Sequence, residues 1–120
     1  MPTKTSDGRV LDRYDVVVVP FPFTDKAAAK RRPALVLSSA TAFNRSAGHS
    51  VMAMITSAGN SLWPLDTTIT DLKAAGLSAN SIVRMKLFTL DHRFVLRKAG
   101  KLSTADALVV EANLRRLFFG

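Results

Sequence analysis

The chain has 120 residues, 48% of them apolar, no cysteine, and a formal net charge of +8. That length suits one hydrophobic core, the apolar content excludes wholesale disorder, and the missing cysteine excludes disulfides and thiolate metal sites. A small basic chain of this kind is expected in the reducing cytoplasm, with a polyanion as partner: RNA, DNA or an acidic protein.

Residues 1–13 read as a polar N-terminal arm and residues 14–120 as one domain. The N-terminus lacks an apolar stretch of the secretory type, and no apolar run approaches membrane-span length. "YDVVVVPF" carries four consecutive valines, a β-branched run that reads as a strand buried on both faces. "PFPFTDKAAAKRR" is long for a hairpin loop, and its prolines disfavour regular pairing. "PALVLSS" reads as a second strand antiparallel to the first, and "NRSAGH" as a turn. "SVMAMITS" alternates Val51, Ala53 and Ile55 against Met52, Met54 and Thr56, the period of a strand. "LDTTIT" alternates again, with Leu65, Thr67 and Ile69 on one face. In "DLKAAGL", Thr70 is placed to cap a single helical turn and Gly76 to close it. "SIVRMKLF" predicts a strand with Arg84, Lys86 and Phe88 on one face and Val83, Met85 and Leu87 on the other; "RFVLRK" predicts a shorter one. A terminal amphipathic helix follows: Ser103 and Asp106 resemble a capping box, Ala107, Val110, Leu114 and Leu117 recur at helical spacing, and Glu111 precedes Arg115 by four. Strands this short must hide their edges, so the expected class is mainly β with α (α+β): a small antiparallel barrel with a short insert helix and a C-terminal helix.

Several chemistries lack support. His49 and His92 each lie in turn-like sequence, where a solvent-exposed role is expected, and neither has metal-ligand spacing. No phosphate loop or dinucleotide fingerprint is present, so neither a metal nor a cofactor is expected. RNA permits chemistry without them, because its 2′-hydroxyl is a built-in nucleophile that needs only orientation and charge stabilisation. Arg32 is the best guanidinium for that task, since Pro33 and the strand beyond restrict its backbone. Thr56, near the end of an alternating strand, is the best hydroxyl, with Ser57 beside it. Spacing alone favours plainer roles: a surface cation and an ordinary strand residue.

Taken together, "YDVVVVPFPFTD", "KRRPALVLSS", "MAMITS", "DLKAAGL", "SIVRMKLFTLD" and "GKLS" resemble, in order and spacing, the PemK/MazF family of toxins from bacterial type II toxin–antitoxin modules. The resemblance implies an SH3-like barrel, a homodimer, and a metal-independent endoribonuclease that cuts single-stranded RNA, often mRNA, at short sequences. It also implies a cognate acidic antitoxin. The family's active-site arginine falls on Arg32 and its Thr/Ser on Thr56, with Ser57 as the neighbouring candidate. The loop from Pro20 to Arg31 corresponds to the one bordering the RNA, which makes Phe23, Lys30 and Arg31 candidate RNA contacts. Arg84 and Lys86 join them as cations sharing a strand face. Two other readings remain: a basic module that grips nucleic acid or gyrase without cutting, and a degenerate toxin kept for antitoxin binding.

Overall fold

The computed structural model describes residues 10–21 and 30–120. Phe23, a candidate base-stacking residue, lies outside them. Six strands form one antiparallel sheet in the order β4-β5-β3-β2-β1-β6. They are β1 (Asp15–Phe21), β2 (Lys30–Val36), β3 (His49–Ser57), β4 (Thr67–Thr68), β5 (Ser81–Asp91) and β6 (Arg97–Lys101). The sheet curls into a half-barrel. Three helices accompany it: α1 (Arg45–Ala47), α2 (Leu72–Ala75) and the C-terminal α3 (Thr104–Phe119).

Each central strand contributes to both faces, which explains the four-valine run. Val16, Leu35, Ala53, Ile55 and Val83 bury one face, against which Ala107, Val110 and Leu114 of α3 pack. Val17, Val19, Ala34, Val36 and Met52 bury the other, beneath Leu11 and Val95. The predicted alternation of β5 holds although its pairing with β3 is irregular. Met54 pairs with Arg84 and Ala53 with Leu87, so Met85 and Lys86 bulge out of the ladder. The excess is two residues and the side-chain period is also two, so no residue changes face. Val83, Met85 and Leu87 all reach the α3-side core, as expected.

Local chemistry moves several boundaries. Pro20 lies inside β1, paired with Arg31, although the prolines were expected to disfavour pairing. Pro33 is tolerated because β2 pairs with β3 only from Ala34 onward. Leu65 adopts φ 64°, so the alternating "LDTTIT" yields only the two-residue β4. "NRSAGH" belongs to a tight helical turn, Ala40–Asn44 running into α1, that Gly48 closes at φ 67°. Asp71, not Thr70, caps α2 by accepting the Ala74 N–H at 3.0 Å. Gly76 closes it at φ 72°, and any Cβ there would meet the Ala99 carbonyl oxygen at 2.0 Å. The predicted "RFVLRK" strand begins only at Arg97, since His92–Phe94 forms a 3-10 turn. His92 is also wholly buried rather than exposed, within 2.7 Å of the Ser50 hydroxyl. His49 does stand at the surface.

Helix α3 starts where expected: Ser103 Oγ accepts the Asp106 N–H. The Asp106 carboxylate does not complete a capping box. It accepts bonds from Thr70 N–H (3.0 Å), Thr70 Oγ1 (2.6 Å) and Asp71 N–H (3.0 Å), tying α3 to the start of α2. Burial alone pushes this carboxyl up, but the hydrogen bonds from Thr70, Asp71 and Ser103 outweigh it and hold it below its ordinary value. Glu111 and Arg115 form the anticipated i,i+4 pair at 3.4 Å. Among the described residues no helix is long and apolar enough to cross a membrane.

Candidate active site

One face of the sheet changes character along its length. Near Leu11 its rows are apolar: Val17 and Val19, Ala34 and Val36, Met52, and Phe88 with Leu90. Further along each strand, the same rows end in Phe21, Arg32, Met54 with Thr56, and Arg84 with Lys86. These side chains line an open cleft of about 220 Å3, completed by Asn60 and Trp63 from the β3–β4 connection.

The ladder explains why Arg32 and Thr56 meet. Ala34 pairs with Met54 and Val36 with Met52. Two residues beyond Ala34 and Met54, past the last pair, the same antiparallel register sets Arg32 across from Thr56. Both are partly buried. The Arg32 guanidinium carbon lies 6.0 Å from the centre of the Phe21 ring, and Lys86 Nζ lies 6.0 Å from the same ring. An aromatic face between two cations keeps both near the cleft. No carboxylate among the described residues forms an ion pair with either.

Thr56 is held by Asn60, whose Nδ2 donates to Thr56 Oγ1 at 2.5 Å. The amide nitrogen can only donate, so the hydroxyl accepts there and keeps its own proton for another acceptor. Asn60 is positioned in turn by its backbone N–H, which donates to the Ser57 carbonyl at 3.2 Å.

Arg84 lines the cleft but its charge is compensated. Its Nη2 and Nε donate to the Asp66 carboxylate at 3.0 and 3.2 Å, Nη2 also donates to the Ser61 carbonyl, and the guanidinium sits 5.1 Å from the Trp63 ring centre. Both side chains of the pair are about nine-tenths buried. Burial pushes the Asp66 carboxyl up, and the bonds from Arg84 and the Trp63 N–H more than reverse this, leaving it below its ordinary value. Arg84 thus fastens the connection carrying Asn60 and Trp63 to β5.

Of the sequence-selected residues, the cleft gathers Arg32, Thr56, Lys86 and Arg84. Ser57 is exposed and, one residue from Thr56 on a strand, faces away from it. Lys30 is exposed at the β2 start opposite Phe21. Arg31 alternates to the other face and lines a separate cleft. Asn60 and Asp66 escaped the sequence reading. The signal for Asp66 is that it is the first carboxylate after Asp25, in a stretch rich in cations. Asn60 follows Thr56 by four residues across an "SAGN" turn, which is the spacing its side chain needs to fold back. Among the described residues no three His, Asp or Glu side chains converge as metal ligands do.

The comparisons with known proteins agree with this architecture. Residues 12–118 match the family described as PemK-like, MazF-like toxin of type II toxin–antitoxin systems. No curated protein matches in sequence. Among solved structures, a MazE–MazF crystal structure from Deinococcus radiodurans superposes with a TM-score of 0.71 at 24% identity, covering 91% of this chain and 96% of that one. An endoribonuclease in complex with its cognate antitoxin, from a mycobacterial species, gives 0.69 at 14% identity, covering 91% and 93%. The Mycobacterium tuberculosis toxin MazF-mt6 gives 0.66 at 18% identity, covering 87% and 95%. These likenesses establish a shared fold, and the sequence match over nearly the whole described chain establishes more: the protein belongs to the PemK-like, MazF-like toxins of type II toxin–antitoxin systems.

Proposed function

We propose that the protein is a metal-independent endoribonuclease that cuts single-stranded RNA, with Arg32 and Thr56 as its catalytic residues. The observation that carries this reading is their meeting across the ladder in an open cleft, one a guanidinium with no carboxylate partner among the described residues and the other a hydroxyl that accepts from Asn60 and so keeps its own proton to donate. In the reaction the RNA 2′-oxygen attacks the adjacent phosphorus and gives up its proton to solvent. The bond from phosphorus to the 5′-oxygen breaks, and that oxygen takes up a proton. The products are a 2′,3′-cyclic phosphate and a 5′-hydroxyl. The Arg32 fork neutralises charge on the equatorial oxygens as the phosphorane forms, and Thr56 donates to a non-bridging oxygen. Lys86 adds positive potential, and Phe21 and Trp63 offer ring faces against which bases can stack.

Two partners accompany this reading. Solved relatives were captured with MazE or with a cognate antitoxin, and a basic cleft is complementary to an acidic chain. A cognate acidic antitoxin is therefore the inhibitor we expect. A homodimer is supported by the apolar end of α3, where Phe118 is 63% and Phe119 84% exposed beside a cleft shared with Tyr14 and Leu114.

Incubating purified protein with single-stranded RNA in EDTA and sequencing the ends tests the reading. Discrete fragments with 5′-hydroxyl ends are expected. Cleavage that requires added metal would refute the mechanism, and tight RNA binding without fragments would favour a binding module instead.

A further inference from the structure

Sorting the cations by partner separates two populations. Arg84 pairs with Asp66, Arg93 with Asp91, Arg115 with Glu111, and both Lys98 and Lys101 with Asp15. The other described cations make no such pair: Arg13, Arg45, Lys73 and Arg116 lie apart from one another, whereas Lys30, Arg31, Arg32, Lys86 and Arg97 gather around the β2 start. Val18 of β1 pairs with Pro33 on one side and with Arg97 on the other, so edge strand β6 brings Arg97 up to the start of β2. A cleft of about 340 Å3 opens there between Arg31, Arg97 and the Gly76–Ser78 segment. Arg32 borders this cleft as well as the candidate active site. Neighbouring strand residues face opposite ways, so Arg31 and Arg32 give the β2 start one guanidinium on each face of the sheet.

We propose that this second cleft is a phosphate subsite: it holds a backbone phosphate of the single-stranded RNA whose scissile phosphate lies at Arg32, where the strand passes over the β2 start. The inference rests on the reading of the active site as RNA-cleaving. The lining chemistry favours a phosphate over a base. Besides the arginines and Ser78 the side chains that line it are apolar, Val18, Pro33, Leu77, Leu96 and Ala99, and none offers an aromatic ring for a base to stack on. The rings that line the active site, Phe21 and Trp63, lie on the other face. Two guanidiniums with no carboxylate partner among the described residues match phosphate oxygens. Protection of an exposed edge strand does not account for Arg97, because Lys98 and Lys101 also lie on β6 and carry charge there while paired with Asp15.

The test uses uncleavable 2′-O-methyl RNA of mixed sequence at two lengths, about four and about twelve nucleotides. Affinity is measured by fluorescence anisotropy from about 50 to about 200 mM KCl. For the longer RNA, Arg97→Ser should lower the slope of log affinity against log salt by about 0.7, the value for one single-strand phosphate, and weaken binding about three- to tenfold. Arg97→Lys should keep the slope, as should Arg45→Ser, which removes an exposed cation of α1 that lines neither cleft. An Arg97→Ser protein with unchanged slope and affinity overturns the subsite. So does an equal loss on the shorter RNA, which would merge Arg97 with the active site. Weakened binding of polyglutamate with RNA binding intact would assign the cleft to an acidic polypeptide and likewise overturn it. A wild-type protein that neither binds nor cuts RNA would instead sink the reading of the active site, which distinguishes the two failures.

Discussion

The two walls of the candidate active site are both built on arginine, and they differ in what surrounds it. On the β5 wall, Arg84 is buried, bonded to Asp66 and to the Ser61 carbonyl, and covered by Trp63. On the β1–β2 wall, Arg32 is only partly buried, lies 6.0 Å from the centre of the Phe21 ring, and has no carboxylate partner among the described residues. A guanidinium bound to its own carboxylate has few donors left for a substrate, whereas an unpaired one attracts a phosphate. Sequence assigns both residues the same charge, on strands that flank β3. Only the position of a single aspartate separates the fastened guanidinium from the candidate catalytic one.

Breaking each wall should therefore produce different kinds of damage. Replacing Arg84 with Met leaves Asp66 buried without its partner, and we expect a loss of about 3–5 kcal/mol in urea-melt stability. The double variant Arg84→Met/Asp66→Leu should recover most of it. A cost below about 1 kcal/mol for the single change would show that the clamp is not structural. Arg32→Ala should leave the melt unchanged and reduce RNA cleavage about 100-fold or more, the usual cost of one lost transition-state donor. A folded Arg32→Ala protein cutting at the wild-type rate would remove Arg32 from the mechanism.

Asn60 offers a finer probe of the same contrast. In Asn60→Asp, an ionised carboxylate accepts the Thr56 proton and turns the hydroxyl away from the phosphate, whereas the protonated acid donates as the amide does. Activity should fall about tenfold as pH rises through the carboxyl's titration, a limb the wild type lacks. Asn60→Ala, which removes the donor without adding an acceptor, should fall less and show no such limb. The smallest effect is expected from acid. Asp66 and Asp106 both titrate below the ordinary carboxylate value of 3.8 in the folded chain. Their stabilisation is present above 3.8 and is lost as pH drops through the lower folded values. A melt series that stays flat from neutral pH down through that window would argue against both networks.

Much of this was legible in the sequence, and the limits have physical causes. The valine run and the alternation of β3 and β5 are local periodicities, so strand faces could be read directly. The α3 stripe could be read too, but not whether it faces the sheet or another chain; of its members Ala107, Val110 and Leu114 pack on the core while Leu117 is exposed. Register was not legible: Arg32 falls across from Thr56 because Ala34 pairs with Met54, and the long connection between β2 and β3 leaves that pairing undetermined by the sequence. What could not be read are partners chosen by tertiary contact. Asp106 accepts from the Asp71 N–H and from the Thr70 N–H and hydroxyl, 35 and 36 residues away, instead of closing its capping box. Thr70 gave up its expected capping role to that bond, and Asp71 took it. His92 looked like a turn residue and is one, yet the turn folds inward to Ser50 across 42 residues. Leu65 broke an alternating pattern through a left-handed backbone that periodicity does not register.

The bulge in β5 bears on how this strand can vary among relatives. Met85 and Lys86 are surplus to the ladder, and Lys86 reaches the Phe21 ring from there. Removing both would shorten the strand yet leave every later side chain facing as it does now. Removing either alone would turn Leu87 and Phe88 inside out. At this point in the chain the unit of tolerable insertion or deletion is a pair of residues, and gaps of odd length should be read as changes of architecture rather than of length.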